Sequence, residues 1–261
     1  MSKLIINKLK YILFSKHRKG FGIHSPFIYD LITLVFNDKT DKVAYPKIDL
    51  LRNKLLKSNE IISVTDYGAG SKLFKSSERK ISEITEYSSV KKKYGELLYR
   101  ISEFYKPKTI LELGTSLGLS CSYLSLGSPN AKVVTIEGCP QISNIAQNTF
   151  YLLGIKNITL VNGKFDEILP LSFFDLHSLD LVFFDGNHTK QATLNYFEQC
   201  VKYSNNDSIF IFDDIHWTSD MEQAWNEIKK NKNVTSTVDI YQFGIVFLKK
   251  QLKKQDFIIR Y

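Results

Sequence analysis

The stretch from Lys108 to Glu137 constrains this 261-residue chain more than any other. Lys108–Leu113 (KTILEL) is a short apolar run of strand length, and a glycine turn follows it. An apolar segment near 117–126 reads as a helix, and Lys132–Ile136 (KVVTI) reads as a second strand that ends on Glu137. Two strands joined through a helix must run parallel, because a parallel pair needs a long crossover while an antiparallel pair needs only a hairpin. Gly114 permits the tight turn and a close approach by a ligand, and Gly118 is expected to let the helix pack tightly against the strand.

The same rhythm continues to the end of the chain. Pro140 opens a helix that Gly154 closes, and Ile158–Val161, Leu179–Phe184 and Ser208–Phe212 read as strands. A helix is expected over about 190–203. Ser219-Asp220-Met221-Glu222 reads as a capping box, opening a helix with Met221, Ala224, Trp225 and Ile228 on its packing face. Val234–Tyr241 and Ile245–Leu248 form a closing hairpin around Gly244. The expected fold class is therefore α/β: a Rossmann-like, doubly wound, mostly parallel seven-stranded sheet with an antiparallel C-terminal hairpin strand. In such sheets ligands bind beyond the carboxyl ends of the strands.

Before Lys106 the chain reads mainly as helices and loops, so residues 1–105 are expected to form a helical extension or lid and residues 106–261 the main domain. The extension opens with a basic amphipathic helix. Ile5, Leu9, Ile12 and Leu13 share one face among Lys3, Lys8 and Lys10, as in a helix capping the main domain; a membrane-surface anchor is the alternative. A flexible basic loop, Lys16-His17-Arg18-Lys19-Gly20-Phe21-Gly22-Ile23-His24, is expected next, and Ser25-Pro26 is a helix start. A helix is expected over 90–105, apolar at Leu97, Leu98, Ile101 and Phe104. The Tyr67-Gly68-Ala69-Gly70-Ser71 turn follows a weak strand and reads as a loop.

Composition narrows the class. With 43% hydrophobic and 24% charged residues, the chain is not disordered, collagenous or disulfide-stapled. No apolar run reaches membrane-spanning length, and Asn7, Lys8 and Lys10 break what a signal peptide would need, so a cytoplasmic protein is expected. Three cysteines without a CxxC pair fit reduced, buried thiols. The formal charge of +8 allows an anionic partner, nucleic acid included, but is spread along the chain without an arginine-rich stripe.

The glycine turn also selects a cofactor. A carboxylate at Glu137 can accept both ribose hydroxyls of an adenosine-containing compound. Ser116 stands where a dinucleotide fingerprint needs glycine, and Glu112 would repel a pyrophosphate but attract an ammonium group. The turn Glu112-Leu113-Gly114-Thr115-Ser116-Leu117-Gly118-Leu119-Ser120 resembles that of class I S-adenosylmethionine-dependent methyltransferases, and within them the metal-dependent catechol, caffeoyl-CoA and sugar O-methyltransferases. The resemblance covers residues 108–248. It implies that Glu112 meets the methionine amino group, that Gly114, Ser116 and Ser120 line the methionine end, that Glu137 holds the ribose, and that Thr115 and Gly138 are also cofactor-binding. It also implies that Gly163 and Phe165, in Asn162-Gly163-Lys164-Phe165-Asp166, border the adenine and that Asp185 lies at the cofactor.

Asp185-Gly186-Asn187-His188 follows the fourth strand of this series and Asp213-Asp214-Ile215-His216-Trp217 the fifth. Neighbouring parallel strands set these tips side by side, and converging carboxylates need a cation or buried protons. Asp185, Asp213 and Asp214 are the candidate ligands of Mg²⁺ or a similar divalent cation, the positions that hold Mg²⁺ in the resembling enzymes. Those enzymes carry a Lys or Asp base where this chain has His188 or Asn187, so His188 is the candidate base, Asn187 a substrate-orienting residue, and His216 a second candidate. Trp217 is expected in the core. The expected activity is metal-assisted O-methylation of a small-molecule or sugar hydroxyl, with a homodimer as one arrangement. The alternatives are an RNA or protein methyltransferase without metal, or a non-catalytic cofactor-binding module.

Overall fold

A computed structural model describes residues 3–15, 19–67 and 76–261. Lys16, His17 and Arg18 of the basic loop and Gly68, Ala69, Gly70 and Ser71 of the first glycine turn lie outside the described residues. In chain order the elements are α1 (Lys3–Phe14), α2 (Pro26–Asp30) continuing into a π-helical segment (Leu31–Phe36), α3 (Ala44–Leu56), β1 (Ile61–Ser63), β2 (Glu78–Lys80), α4 (Ile81–Tyr87) and α5 (Lys92–Tyr105). Then come β3 (Thr109–Leu113), α6 (Leu119–Gly127), β4 (Lys132–Glu137), α7 (Pro140–Leu152), β5 (Ile158–Asn162) and α8 (Phe165–Leu176). The chain finishes with β6 (Leu179–Phe184), α9 (Lys190–Val201), β7 (Ser204–Phe212), α10 (Ser219–Lys230), β8 (Ser236–Asp239), β9 (Gly244–Phe247) and β10 (Gln255–Ile258).

These elements form two compact units, Thr40–Leu176 and Met1–Lys39 with His177–Tyr261. In the first, β3, β4 and β5 are adjacent and parallel, with Leu113 opposite Ile136 and Glu137 opposite Asn162. Their inward residues Ile110, Leu111, Val133 and Ile136 are fully buried, as expected of strands covered on both faces. The weak strand at Ile61–Ser63 exists and pairs antiparallel with β2, a partner its Glu-Arg-Lys sequence did not announce. α5 buries Leu97, Leu98 and Ile101, but Phe104, expected on that face, is 43% exposed at the last turn, where its ring meets Tyr105 edge-on at 5.0 Å.

In the second unit the strand order is β10-β8-β9-β7-β6. β6 and β7 run parallel, β9 is antiparallel to β7 and β8, and the hairpin at Gly244 is as expected. β10 is additional to the seven expected strands and lies parallel to β8 at the edge. The fold is thus a mixed, mostly parallel sheet with flanking helices of the Rossmann-like class, with antiparallel strands near the C-terminus.

Three local expectations are corrected. α10 is capped by Thr218, whose hydroxyl accepts from Met221 N (3.1 Å), not by a box at Ser219; Glu222 is turned to Asn7 instead. α1 packs through Asn7 and through Tyr11, whose hydroxyl donates to the Ile259 carbonyl (2.6 Å). Leu9, Ile12 and Leu13, expected on the packing face, are 46%, 43% and 77% exposed. Trp217, expected in the core, is 47% exposed, whereas Met221, Ala224 and Trp225 are buried as a packing face. Cys121, Cys139 and Cys200 are free and buried. Among the described residues no helix is long and apolar enough to cross a membrane.

Candidate functional site

The carboxyl ends of β3 and β4 carry the first cluster. Gly114 has φ +101° and its N–H donates to Ile136 O (3.0 Å), tying the turn to β4. Ser116 is also left-handed, at φ +48°, a conformation that costs a non-glycine residue energy and that the surrounding turn must hold. Gly118 sits at φ +82° as the N-cap of α6, and a Cβ there would meet Phe150 at 2.7 Å and the Ala146 backbone at 3.3 Å. Its role is close approach to α7, rather than to the strand as expected.

Glu112 is fully buried on β3. Thr115 and Thr135 hydroxyls are 2.6 Å apart, and Thr135 donates to Glu112 Oε2 (2.6 Å), so the Thr115 hydroxyl donates to Thr135 in a two-step relay. Glu112 Oε1 has no hydrogen-bond partner, and neither has the buried Ser116 Oγ. Burial pushes the Glu112 carboxyl up to about 7, against the pull of Thr135, Ser120 and Cys121. A buried carboxylate with an open oxygen is the acceptor that an ammonium donor requires. Glu137, at the end of β4, accepts from Ser116 N through Oε2 and from Cys139 N through Oε1, both at 2.9 Å, and burial raises its pKa. These two bonds aim the carboxylate and leave lone pairs on each oxygen for hydroxyl donors. Gly163 N–H donates to the Glu137 carbonyl (2.9 Å), Gly138 follows Glu137, and Phe165 is half-buried at the start of α8. The nine cofactor candidates other than Asp185 therefore all belong to the Thr40–Leu176 unit.

The second cluster sits at the ends of β6 and β7, which pair with Phe184 opposite Phe212. Asp185, Asp213 and Asp214 follow those two residues, as the alternation required. Asp213 is buried and its N–H donates to Phe184 O (2.9 Å). Burial and then the Asp214 charge raise Asp213 to about 8, with Gln242 and Asp185 hydrogen bonds opposing. Gln242, from the turn between β8 and β9, donates through Nε2 to Asp213 Oδ1 (2.6 Å) and Asp214 Oδ1 (2.7 Å). Sequence reasoning missed Gln242, since nothing in the sequence marks a turn residue that folds back onto an acidic pair. Among the described residues no group of three or more His, Cys, Asp or Glu side chains is arranged to hold a metal ion. The shared amide and a retained proton balance the aspartates in this arrangement.

His188 Nε2 lies 3.7 Å from Asp185 Oδ1; burial lowers its pKa, opposed by Asp214. Asn187 is left-handed (φ +50°), and its amide donates to the Tyr196 hydroxyl (3.2 Å). His216 Nε2 is 2.8 Å from Asp239 Oδ2; burial opposes its charge, but Asp239 and Glu222 outweigh that and raise its pKa. Its ring stacks on Tyr241 at 5.3 Å. The two histidines thus differ in kind: burial shifts His188 toward its neutral form beside the aspartates, while Asp239 and Glu222 shift His216 toward its charged form.

Comparisons with known proteins bear on this arrangement. Residues 111–215 match a family described as "Methyltransferase domain". Catechol O-methyltransferase of Sus scrofa is 32% identical over 100 residues, 37% of this chain and 54% of that protein. Catechol O-methyltransferase of Niastella koreensis is 27% identical over 130 residues, 49% of this chain and 58% of that protein. The chain thus spans little more than half the length of these relatives. An O-methyltransferase from Bacillus cereus, solved in complex with SAH, shares the fold with a TM-score of 0.57 at 16% identity, covering 84% of this chain and 96% of that one.

Proposed function

We propose, from the premise that residues 111–215 form a methyltransferase domain similar to the catechol O-methyltransferases, that this chain is an S-adenosylmethionine-dependent O-methyltransferase acting on a hydroxyl of a small molecule or sugar. The observation that carries the reading is Glu112: a buried carboxyl with one unpartnered oxygen, at a strand–glycine–helix turn whose partner strand ends on a second, aimed carboxylate. Glu112 takes the ammonium of the methionine moiety, the Gly114–Ser116 turn and Ser120 line that end, and Glu137 accepts the ribose hydroxyls. Gly138, Gly163 and Phe165 border the base. The sulfonium compound supplies an activated methyl group.

The acidic tip serves the acceptor. The acceptor oxygen forms a bond to the methyl carbon as the carbon–sulfur bond breaks, its electron pair passing to sulfur, and the hydroxyl proton must leave. His188 is the group that takes it, since burial favours its neutral form and it lies beside Asp185, while Asn187 fixes the turn that presents it. His216 supports the tip through Asp239 rather than removing the proton. Asp185, Asp213 and Asp214 are hard oxygen donors suited to Mg²⁺ or a similar ion. A cation held there would displace the Asp213 proton and the Gln242 amide hydrogens, and would lower the pKa of a coordinated hydroxyl. The reading extends to residues 1–105 as a mainly helical extension of a 106–261 methyltransferase region, and to a cytoplasmic enzyme.

The test combines calorimetry and label transfer. SAH is expected to bind the wild-type chain, and Glu137→Ala to weaken binding by at least about tenfold, as loss of hydrogen bonds to a buried charge does. Methyl-labelled S-adenosylmethionine is expected to label a diol or sugar acceptor. Absence of SAH binding overturns the reading. Transfer that persists unchanged in EDTA, together with no heat of Mg²⁺ binding, removes the metal and leaves the rest.

A further inference from the structure

The ring of Tyr67 stands at the corner where the ends of β4 and β5 meet. A Cβ on Gly138, the residue after Glu137, would come within 2.7 Å of Tyr67 Cδ2. Lys164 Nζ, just beyond β5, lies 5.3 Å from the ring centroid. Glu137 and Asn162 are partners in the β4–β5 register, and the Asn162 amide donates to the Glu137 carbonyl (2.7 Å), so the loops after the two strands form one corner. Tyr67 reaches it from the segment after β1. That segment is fixed by Ser63 N–H donating to Gln141 Oε1 (2.7 Å), Val64 N–H donating to Ser77 O (2.7 Å) and an Arg79–Asp66 ion pair (3.3 Å). Tyr67 is 50% exposed, so part of its surface stays accessible beside its approach to Gly138.

This inference rests on the proposed function. With the ammonium at Glu112 on β3 and the ribose at Glu137 on β4, the compound lies across strand ends in the order β3, β4, β5. Strands repeat about every 4.8 Å, so the base, bonded to the far side of the ribose, extends toward β5. That is where Tyr67 stands.

We propose that Tyr67 is the base-stacking residue of this site, and that position 138 is glycine so that an aromatic ring from outside the strand–helix repeat can reach the base. An aromatic face stacks on a purine whatever its hydrogen-bonding edge, and the Lys164 ammonium orients the ring from β5. Affinity for the adenine end of the cofactor is thus supplied by a residue near position 67, well before the turn that binds the methionine end.

The experiment is calorimetric titration of the full chain with SAH and with S-ribosylhomocysteine, which lacks the base. Tyr67→Ala is expected to bind SAH about tenfold more weakly and S-ribosylhomocysteine as the wild type does, while Tyr67→Phe keeps wild-type affinity for both. The proposal is overturned if Tyr67→Ala binds SAH as tightly as or more tightly than wild type, or if it loses the same factor on both ligands. Glu137→Ala reports on the underlying reading by itself: it should weaken both ligands, and unchanged binding there sinks the nucleoside assignment whatever Tyr67 does.

Discussion

Glu112 shows how one side chain couples stability to binding. Its carboxyl is raised by burial from 4.5 to about 7. A group raised in the folded state contributes stability that is complete below its unfolded value and is lost as pH rises through its folded value. The free protein therefore loses up to about 3 kcal/mol between pH 4.5 and 7 from this residue. Glu112→Gln is expected to raise the thermal midpoint at pH 8 and to abolish tight SAH binding, both read on one preparation. Because the ammonium selects the ionised carboxylate, SAH affinity should rise about tenfold from pH 6 to pH 8, and the rise should vanish in Glu112→Gln. Calorimetry across that range checks the sign. Gln242 is the second decisive residue. Its amide joins Asp213 and Asp214, so Gln242→Ala should cost about 1–3 kcal/mol in urea denaturation by leaving the buried Asp213 carboxyl and half-buried Asp214 without their shared donor. Glu112 was legible in the sequence because it lies at the end of an apolar strand, just before a local glycine turn. Gln242 was not, because its partners are nearly thirty residues away.

At the scale of elements, two glycines separate local from tertiary causes. Gly154 ends α7 at φ +69° with both bonds of a Schellman cap, Gly154 N–H to Tyr151 O (3.0 Å) and Ile155 N–H to Phe150 O (3.0 Å), and a Cβ there would meet nothing within 4 Å. Gly118 has a similar φ but faces Phe150 at 2.7 Å. Gly154→Ala is expected to cost about 1 kcal/mol from backbone strain alone, and Gly118→Ala clearly more, since α6 and α7 must also move apart. Equal costs in denaturant unfolding would refute that distinction. The sequence placed β3, β4, β6 and the closing hairpin because apolar runs bounded by turn residues leave few alternatives. It did not reveal β2 or β10, whose Glu-Arg-Lys and Gln-Asp-Phe-Ile sequences carry no strand pattern and pair only because a neighbouring edge is available. The cap of α10 was misplaced by one residue because Thr218 and Ser219 are both competent caps and only the backbone conformation chooses between them.

Across the whole molecule, the first and last segments of the chain are tied together within one unit. Tyr11 donates to Ile259 O (2.6 Å) and accepts from Tyr261 N (3.0 Å), and the Arg260 guanidinium donates to the Ile12 carbonyl. Tyr11→Phe is expected to lower stability by about 1–2 kcal/mol and to speed amide exchange at Tyr261, whose N–H loses its acceptor. The sequence alone determined the mostly parallel α/β class, the position of the glycine turn, and the carboxylates at the strand ends, because these depend on local periodicity and on residues adjacent in the chain. Only the tertiary structure decided that Asn7 and Tyr11 of α1 reach Glu222 and Ile259, that Gln242 closes the aspartate pair, and that Tyr67 covers Gly138. Each of those depends on which distant backbone arrives beside a given side chain, and no local pattern of apolar and polar residues encodes that.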